Sequence, residues 1–423
     1  MRIDWEEVIS KEKLNFILGN PPFVGKQLQN AHQKADMNHV LGDVKGAGVL
    51  DYVTAWYIKA AEFIQNSLIR CALVSTNSIS QGEQVGIFWQ ELYQKYKIKI
   101  HFAHRTFSWS NEAKGNAAVH CVIIGFGLED IDNKRIFDYA DIKGEPTERK
   151  VKNINPYLVE GSDLVILSRR KTISSVPEIN FGSMPNDGGH LILSQSEKEE
   201  LVKNEPDSEK WIRRYTGAQE FINGYSRYCL WLVNIQPQEL KKSKEVYRRV
   251  EEVRKVRSES NRKTTQELSK FPTLFGENRQ PDTNYLLIPG VSSENRKYIP
   301  IGFLSPDIIT SNSCLIIPYA TLYHFGILTS EMHMAWVKYV CGRLKSDYRY
   351  SNTIVYNNFP FPETATDLKA HQKLDKAVDL CYRPQPFTSE LNRIEYLFEL
   401  YEKLTAPLLS TSKQKTTKRK KSQ

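Results

Sequence analysis

From residue 14 to about residue 126, apolar and polar positions alternate between two periods, one of a strand and one of a helix. Residues 16–18 (Phe-Ile-Leu) read as a short strand. Residues 51–64 (DYVTAWYIKAAEFI) place apolar side chains at helical spacing, and 83–96 repeat that pattern. Residues 71–74 form an apolar run of the buried-strand type, ending in Ser75-Thr76-Asn77-Ser78. Two further strands are predicted at 98–103 and 117–126, joined by residues 105–116. The polar, glycine-containing stretch 25–48 reads as a long loop. Strands alternating with helices of this length predict an α/β fold with a doubly wound sheet. In such sheets ligands bind at the C-terminal edges of the strands, where Asn20 and residues 75–78 would lie. Only 19 residues stand before Asn20, so only the C-terminal half of such a sheet is expected.

Beyond residue 130 the pattern shortens into brief strands, many aromatics and Gly/Pro turns, to about residue 232. Residues 237–270 are then helix-like and highly charged, with 11 Lys/Arg against 6 Glu. This stretch reads either as a solvated helix laced with i,i+4 ion pairs or as a helix that tracks phosphates. Aromatic and glycine-rich segments resume at 271–362, and a final helical region covers 366–404. The boundaries follow: the C-terminal half of a catalytic domain at 1–150, a mixed α+β recognition domain at 151–365, a helical segment at 366–410, and a disordered basic tail at 411–423.

Composition narrows the class without deciding it. Apolar content of 40% and charged content of 25% are ordinary for a globular protein, and no run approaches the roughly 18 apolar residues of a membrane span. The start is charged and has no apolar core of the signal-peptide type. Six cysteines are scattered without a CxxC pair, which argues against a zinc site and for a reducing, cytoplasmic setting. The net charge of +9 points to a polyanionic partner, although part of it sits in the tail.

The chemistry concentrates at Asn20-Pro21-Pro22-Phe23, directly after the first strand. An exocyclic amine conjugated to a base ring is a poor nucleophile. Acceptors that draw on its N–H bonds keep lone-pair density on nitrogen. The Asn20 carboxamide oxygen and a backbone carbonyl at Asn20–Pro21 can supply two such acceptors. Proline fixes φ and so holds them still, while Phe23 offers a face for an extruded base.

The segments 17–23, 51–57, 72–79, 104–115 with 118–126, 275–279, 298–303 and 348–362 together resemble one family. It is the γ-class adenine-N6 DNA methyltransferases, specifically the large type IIG restriction–modification polypeptides of the MmeI group. The resemblance implies that Asn20 and Pro21 accept from the target amino group and border the donor S-adenosylmethionine. It implies that Phe23 stacks on the base, and that Phe107 or Trp109 packs on its other face. It further implies that Lys345, Asp347 and Arg349, with Tyr350 and Asn352, meet double-stranded DNA. Arg suits guanine O6/N7 and Asp a cytosine amino group.

The family also carries a nuclease, a helical connector and a donor-binding half-sheet ahead of the catalytic motif. None of these precedes Asn20 here, so a separate N-terminal half is the expected partner. Two other readings stay open: methylation at cytosine N4, which Asn rather than Ser before the prolines disfavours, and a non-catalytic DNA-binding specificity fragment.

Overall fold

The computed structural model describes residues 3–109, 119–363 and 371–419. Its first unit is a six-stranded mixed sheet. In chain order the elements are β1 (Phe16–Gly19), α1 (Ala31–Leu41), α2 (Thr54–Phe63), β2 (Arg70–Thr76) and α3 (Glu83–Gln94). They are followed by β3 (Lys99–Trp109), β4 (Val119–Gly127), β5 (Lys134–Asp138) and β6 (Thr147–Val151). The strand order is β1-β2-β4-β3-β5-β6. β1 pairs parallel to β2 and β3 parallel to β5, while β4 runs antiparallel between β2 and β3.

The doubly wound expectation is met only in part. α2 and α3 pack on one face of the sheet, where Tyr57 stacks on Phe126 at 5.5 Å and meets Phe88 edge-on. Cys71, Leu73, Ile124, Phe126 and Ile136 are buried on that side. The reversed strand β4 makes the sheet mixed instead of parallel.

Two local expectations are corrected. The stretch 25–48 contains the helix α1, opened by a capping box in which Asn30 accepts from the Gln33 backbone and Gln33 from that of Asn30. β3 does not end at residue 103 but runs on to Trp109, through register irregularities against β4. Residues 110–116 of the expected connection lie outside the described residues.

The second unit holds two four-stranded sheets and a three-stranded one. Its elements are β7 (Asn180–Phe181), β8 (Ile192–Leu193), α4 (Gln195–Asn204), β9 (Ile212–Thr216), β10 (Tyr228–Leu230) and α5 (Lys244–Ser258). After them come β11 (Tyr285–Pro289), β12 (Val291–Ser292), β13 (Gly302–Leu304), β14 (Ile308–Thr310), β15 (Cys314–Pro318), α6 (Glu331–Val340), β16 (Gly342–Leu344) and β17 (Asp347–Arg349). The sheet orders are β14-β9-β10-β8, β13-β11-β15-β7 and β12-β17-β16.

The charged stretch 237–270 contains α5, which is not solvated all round. Val246, Val250 and Val253 fall on one stripe and are buried in a second core with Leu191, Leu230 and Trp211. Its outer face carries Glu245–Arg249 and Glu245–Arg248 pairs.

Two helices close the chain, α7 (His371–Tyr382) and α8 (Glu390–Arg419). α8 packs on α6 through Trp336, Phe398 and Tyr401. It continues as helix to residue 419, through most of the tail that composition assigned to disorder; residues 420–423 lie outside the described residues. No helix among the described residues is long and apolar enough to cross a membrane.

Candidate active site and recognition hairpin

β1 ends at Gly19, and Asn20 is the first residue beyond it. Because β1 and β2 are parallel, Asn20 and the residues after Thr76 leave the sheet at the same edge. Asn20 is exposed, and its carboxamide has no hydrogen-bond partner among the described residues. Pro21 is buried beneath it, Pro22 is exposed, and Phe23 is half-buried against the main core. The corner is therefore anchored by Pro21 and Phe23 while its polar group faces outward.

A carboxylate holds this corner in place. Asp51 Oδ1 accepts from the Lys26 backbone N–H at 3.0 Å, and Oδ2 accepts from the Ser78 hydroxyl at 2.6 Å. The Asp51 N–H donates to Gln84 Oε1 at 2.8 Å. Next to it, the Tyr52 N–H donates to the Val24 carbonyl at 2.9 Å. Burial, aided by the Asp36 carboxylate it donates to, pushes the Tyr52 hydroxyl up to about 12, so it stays a donor.

One side chain thus ties the loop after β1 to the loop after β2. Sequence reasoning assigned Asp51 no role. An Asp just ahead of an apolar helix reads as a helix cap, whereas this one reaches across to a different loop.

In the methyl transfer that the resemblance implies, Asp51→Ala is expected to lower the rate about 100-fold while DNA affinity stays within a factor of three, since misplacement of about 1 Å carries that cost. Asp51→Asn keeps an acceptor for Lys26 and should recover most of the rate. Equal losses in both variants would remove the positioning role.

Phe107 and Trp109 lie at this same edge, since Phe107 is in register with Cys121 and Thr76 is too. They stand on β3, three strand spacings from β1, or about 14 Å. Phe107 stacks on Tyr139 at 5.4 Å, and Trp109 is 38% exposed. The structure therefore ties the loop that follows Asn20 and Phe23 to Ser78 through Asp51, and leaves Phe107 across the edge from it.

The hairpin β16–β17, which holds the expected DNA-contacting residues, turns through Lys345 and Ser346, with Lys345 at φ 56°. Lys345 and Arg349 are exposed, and Asp347 is half-buried, accepting from the Glu294 N–H at 3.4 Å. Strand alternation sends Tyr348 and Tyr350 to the opposite face. Tyr350 is corrected as a DNA contact: it is 4% exposed, and its hydroxyl is 3.0 Å from His333 Nε2. Asn352 is half-buried at the start of a π-helical turn, Asn352–Tyr356.

The end of α6, where the hairpin begins, is fastened to the loop after β2 and to β3. The Gly82 N–H donates to the Val340 carbonyl at 3.1 Å. A Cβ on Gly82 would lie 2.8 Å from Gly342 Cα, and its φ of 72° also suits glycine. Arg105 on β3 bonds Asp138 at 2.6 Å and lies 4.7 Å over the Tyr339 ring. A cavity of about 420 Å³ separates hairpin and sheet edge, lined in part by Asn77, Gln81, His120, Lys338 and Arg343.

The chain as a whole is similar to known proteins. Three descriptions of one family match the chain in sequence: the MmeI DNA-methyltransferase domain over residues 1–138, the MmeI target recognition domain over 160–363, and the MmeI C-terminal domain over 348–409.

The chain belongs to the MmeI family. It carries that family's methyltransferase-type and target-recognition-type domains.

A solved structure of the type IIL restriction–modification enzyme MmeI in complex with DNA is 47% identical with a TM-score of 0.84; the match covers 96% of this chain and 59% of that one. DNA methyltransferase A of Bacillus subtilis (strain 168) is 38% identical over 444 residues. The chain spans 50% of the length of that relative.

Proposed function

We propose that this MmeI-type chain is the base-binding and sequence-reading portion of an adenine-N6 DNA methyltransferase. The observation that carries the reading is Asn20: an exposed amide without a partner among the described residues, on a proline-stiffened corner at a sheet edge.

An adenine swung out of the duplex would place its amino group against Asn20 Oδ1 and the carbonyl at Asn20–Pro21. As nitrogen bonds to the incoming methyl carbon it gains positive charge, which the two acceptors stabilise before a proton leaves to solvent. S-adenosylmethionine, when bound, would supply the methyl group, its S–CH3 bond breaking and its sulfonium leaving as the neutral thioether S-adenosylhomocysteine. This chain offers the donor the Asn20–Pro21 edge, which can border it but not enclose it, so the remaining donor surface falls to another stretch of polypeptide. Phe23 would support one face of the base.

Arg349, Asp347 and Lys345 project from a hairpin locked to the same sheet, which sets a constant distance between the sequence read and the base modified. Arg349→Ala is expected to lower affinity about 10–100-fold for the preferred sequence and to relax preference at one base position. Uniform weakening across all sequences would make Arg349 a phosphate contact.

The test is methyl transfer from labelled S-adenosylmethionine to duplex DNA, by the chain alone and with the remaining portion of the Bacillus relative. N6-methyladenine is the expected product; N4-methylcytosine would overturn the choice of base. One observation favours a second reading, a non-catalytic specificity fragment: β1 is the edge of the sheet, with no strand beyond it among the described residues. Calorimetric titration with S-adenosylmethionine separates the two. Donor binding by the combined portions supports catalysis, and its absence supports the fragment.

A further inference from the structure

The hairpin β16–β17 closes with Leu344 opposite Asp347, so Lys345 and Ser346 alone form its turn. Register and strand alternation sort its side chains into two faces. Arg343 and Tyr348 are partners on the inner face, where the guanidinium lies 4.0 Å over the ring. Arg343 also donates to the Ser346 carbonyl at 2.8 Å, which stiffens the turn from below. The outer face carries two rows. One sets Val291, Arg349 and Gly342 side by side across the three strands, and the other sets Asp347 beside Leu344 at the tip.

Leu344 is 53% exposed, an aliphatic group standing next to a carboxylate at the end of the hairpin. Cross-strand partners lie about 5 Å apart, and Arg349 follows Asp347 by two residues, roughly 7 Å along the strand. A guanidinium, a carboxylate and an aliphatic side chain thus share one small outward face. Base edges in the major groove offer a complement to each: acceptors on guanine, an amino donor on cytosine, and the 5-methyl group of thymine. Under the proposed reading Arg349 and Asp347 take the first two, and Leu344 has no part in it.

We infer that Leu344 is a further specificity-determining residue, packing against the 5-methyl group of a thymine next to the base that Asp347 faces. The inference rests on the proposed role of the hairpin and extends it from hydrogen-bonding edges to an apolar one. A protein partner suits this face less well. An apolar contact with protein would bury Asp347 and Arg349 together with Leu344, and charged groups are depleted from the cores of protein interfaces. In the major groove, which admits a two-stranded ribbon, those same groups meet hydrogen-bonding partners.

The test removes one methyl group from the DNA. The preferred duplex sequence is first found by binding selection with the full chain. Each thymine in it is then replaced singly by deoxyuridine, which pairs in the same way and lacks only the 5-methyl group. The parent should lose about 3- to 10-fold in affinity at one position, the scale of a single buried methyl contact. Leu344→Ala should bind the thymine and uridine duplexes equally, and about as weakly as the parent binds the uridine one. Leu344→Met keeps an aliphatic contact and should keep most of the discrimination. Since the side chain is exposed, the alanine variant should melt with the parent.

A parent insensitive to every replacement would overturn the inference, as would a preferred sequence that contains no thymine. So would an alanine variant that still separates thymine from uridine at the sensitive position, or one weakened uniformly on all sequences. The uridine series on the parent needs no variant, so it decides the matter even where a substitution prevents folding. The proposed reading of the hairpin fails on a different result, a chain without sequence preference or an Arg349→Ala variant whose preference is unchanged. Either would take the inference down with it.

Discussion

With the remaining portion of the Bacillus relative supplied, Asn20→Ala should reduce the proposed methyl transfer by about 100- to 1000-fold, the usual cost of removing one preorganised group that stabilises transition-state charge. DNA affinity should stay within about a factor of three. Both expectations come from the same geometry. The carboxamide is exposed and bonds nothing among the described residues, so its loss leaves no buried group unsatisfied there and should change stability by less than about 0.5 kcal/mol. Pro21 and Phe23 carry the anchoring contacts and remain in place. Asn20→Asp keeps an acceptor oxygen and should turn over faster than the alanine variant. The measurement is labelled methyl incorporation into duplex DNA alongside filter binding on the same preparations. Turnover within tenfold of the parent in the alanine variant would remove Asn20 from the chemistry.

The second large effect concerns stability. Arg257 sits in the last turn of α5 with no exposed surface, and every one of its N–H donors meets a backbone carbonyl. Nε donates to Asn186 at 2.9 Å, Nη1 to Leu268 at 3.2 Å and Phe271 at 2.8 Å, and Nη2 to Pro185 at 2.8 Å and Leu274 at 2.7 Å. A guanidinium has five donors, and all are used. The group clamps the helix end to two loops, 185–186 and 268–274.

Arg257→Ala leaves the Asn186 and Leu274 carbonyls without a donor, while those of Pro185, Leu268 and Phe271 each keep one backbone N–H, so a loss of about 3 kcal/mol is expected. Arg257→Lys has three donors at a single point and should recover only part of it. Hydrogen exchange is the informative measurement. Amides of α5, β9 and β10 should lose protection while those of β2 and β4 keep theirs, because Val246, Val250 and Val253 belong to a core separate from that of the sheet. DNA binding should fall with the recognition unit. A melting temperature within about 2 °C of the parent would contradict the clamp.

Local signals were legible where local physics dominates. α2 and α3 announce themselves through 3.6-residue spacing, and β2 through its apolar run, because each buries one face against the same core. α1 was missed because only Met37 and Leu41 are buried along it, so no apolar stripe marks it; the Asn30/Gln33 capping box was the available signal. β3 was ended early because an irregular register lets a strand continue past the point where alternation breaks.

The aromatic segment 348–362 drew attention as a recognition element, yet much of it is core. The Trp336 indole N–H donates to the Val355 carbonyl at 3.0 Å, Tyr356 donates to the Pro177 carbonyl at 2.8 Å, and Phe359 is fully buried. Aromatics that bind nucleic acid and aromatics that fill a core look alike in sequence. Arg257 is likewise indistinguishable from the surface arginines around it until its carbonyl partners come into view.

The amino-acid sequence by itself determined that a short strand runs into a rigid Asn-Pro-Pro-Phe corner, and that a charged, aromatic-rich region follows. Those features depend on proline's fixed φ, on side-chain periodicity and on neighbours a few residues apart. Tertiary structure alone decided that Asp51 ties that corner to Ser78, and that Tyr350 turns inward while Arg349 stays out. Each of these depends on contacts between segments far apart in the chain, and only the closed fold specifies them.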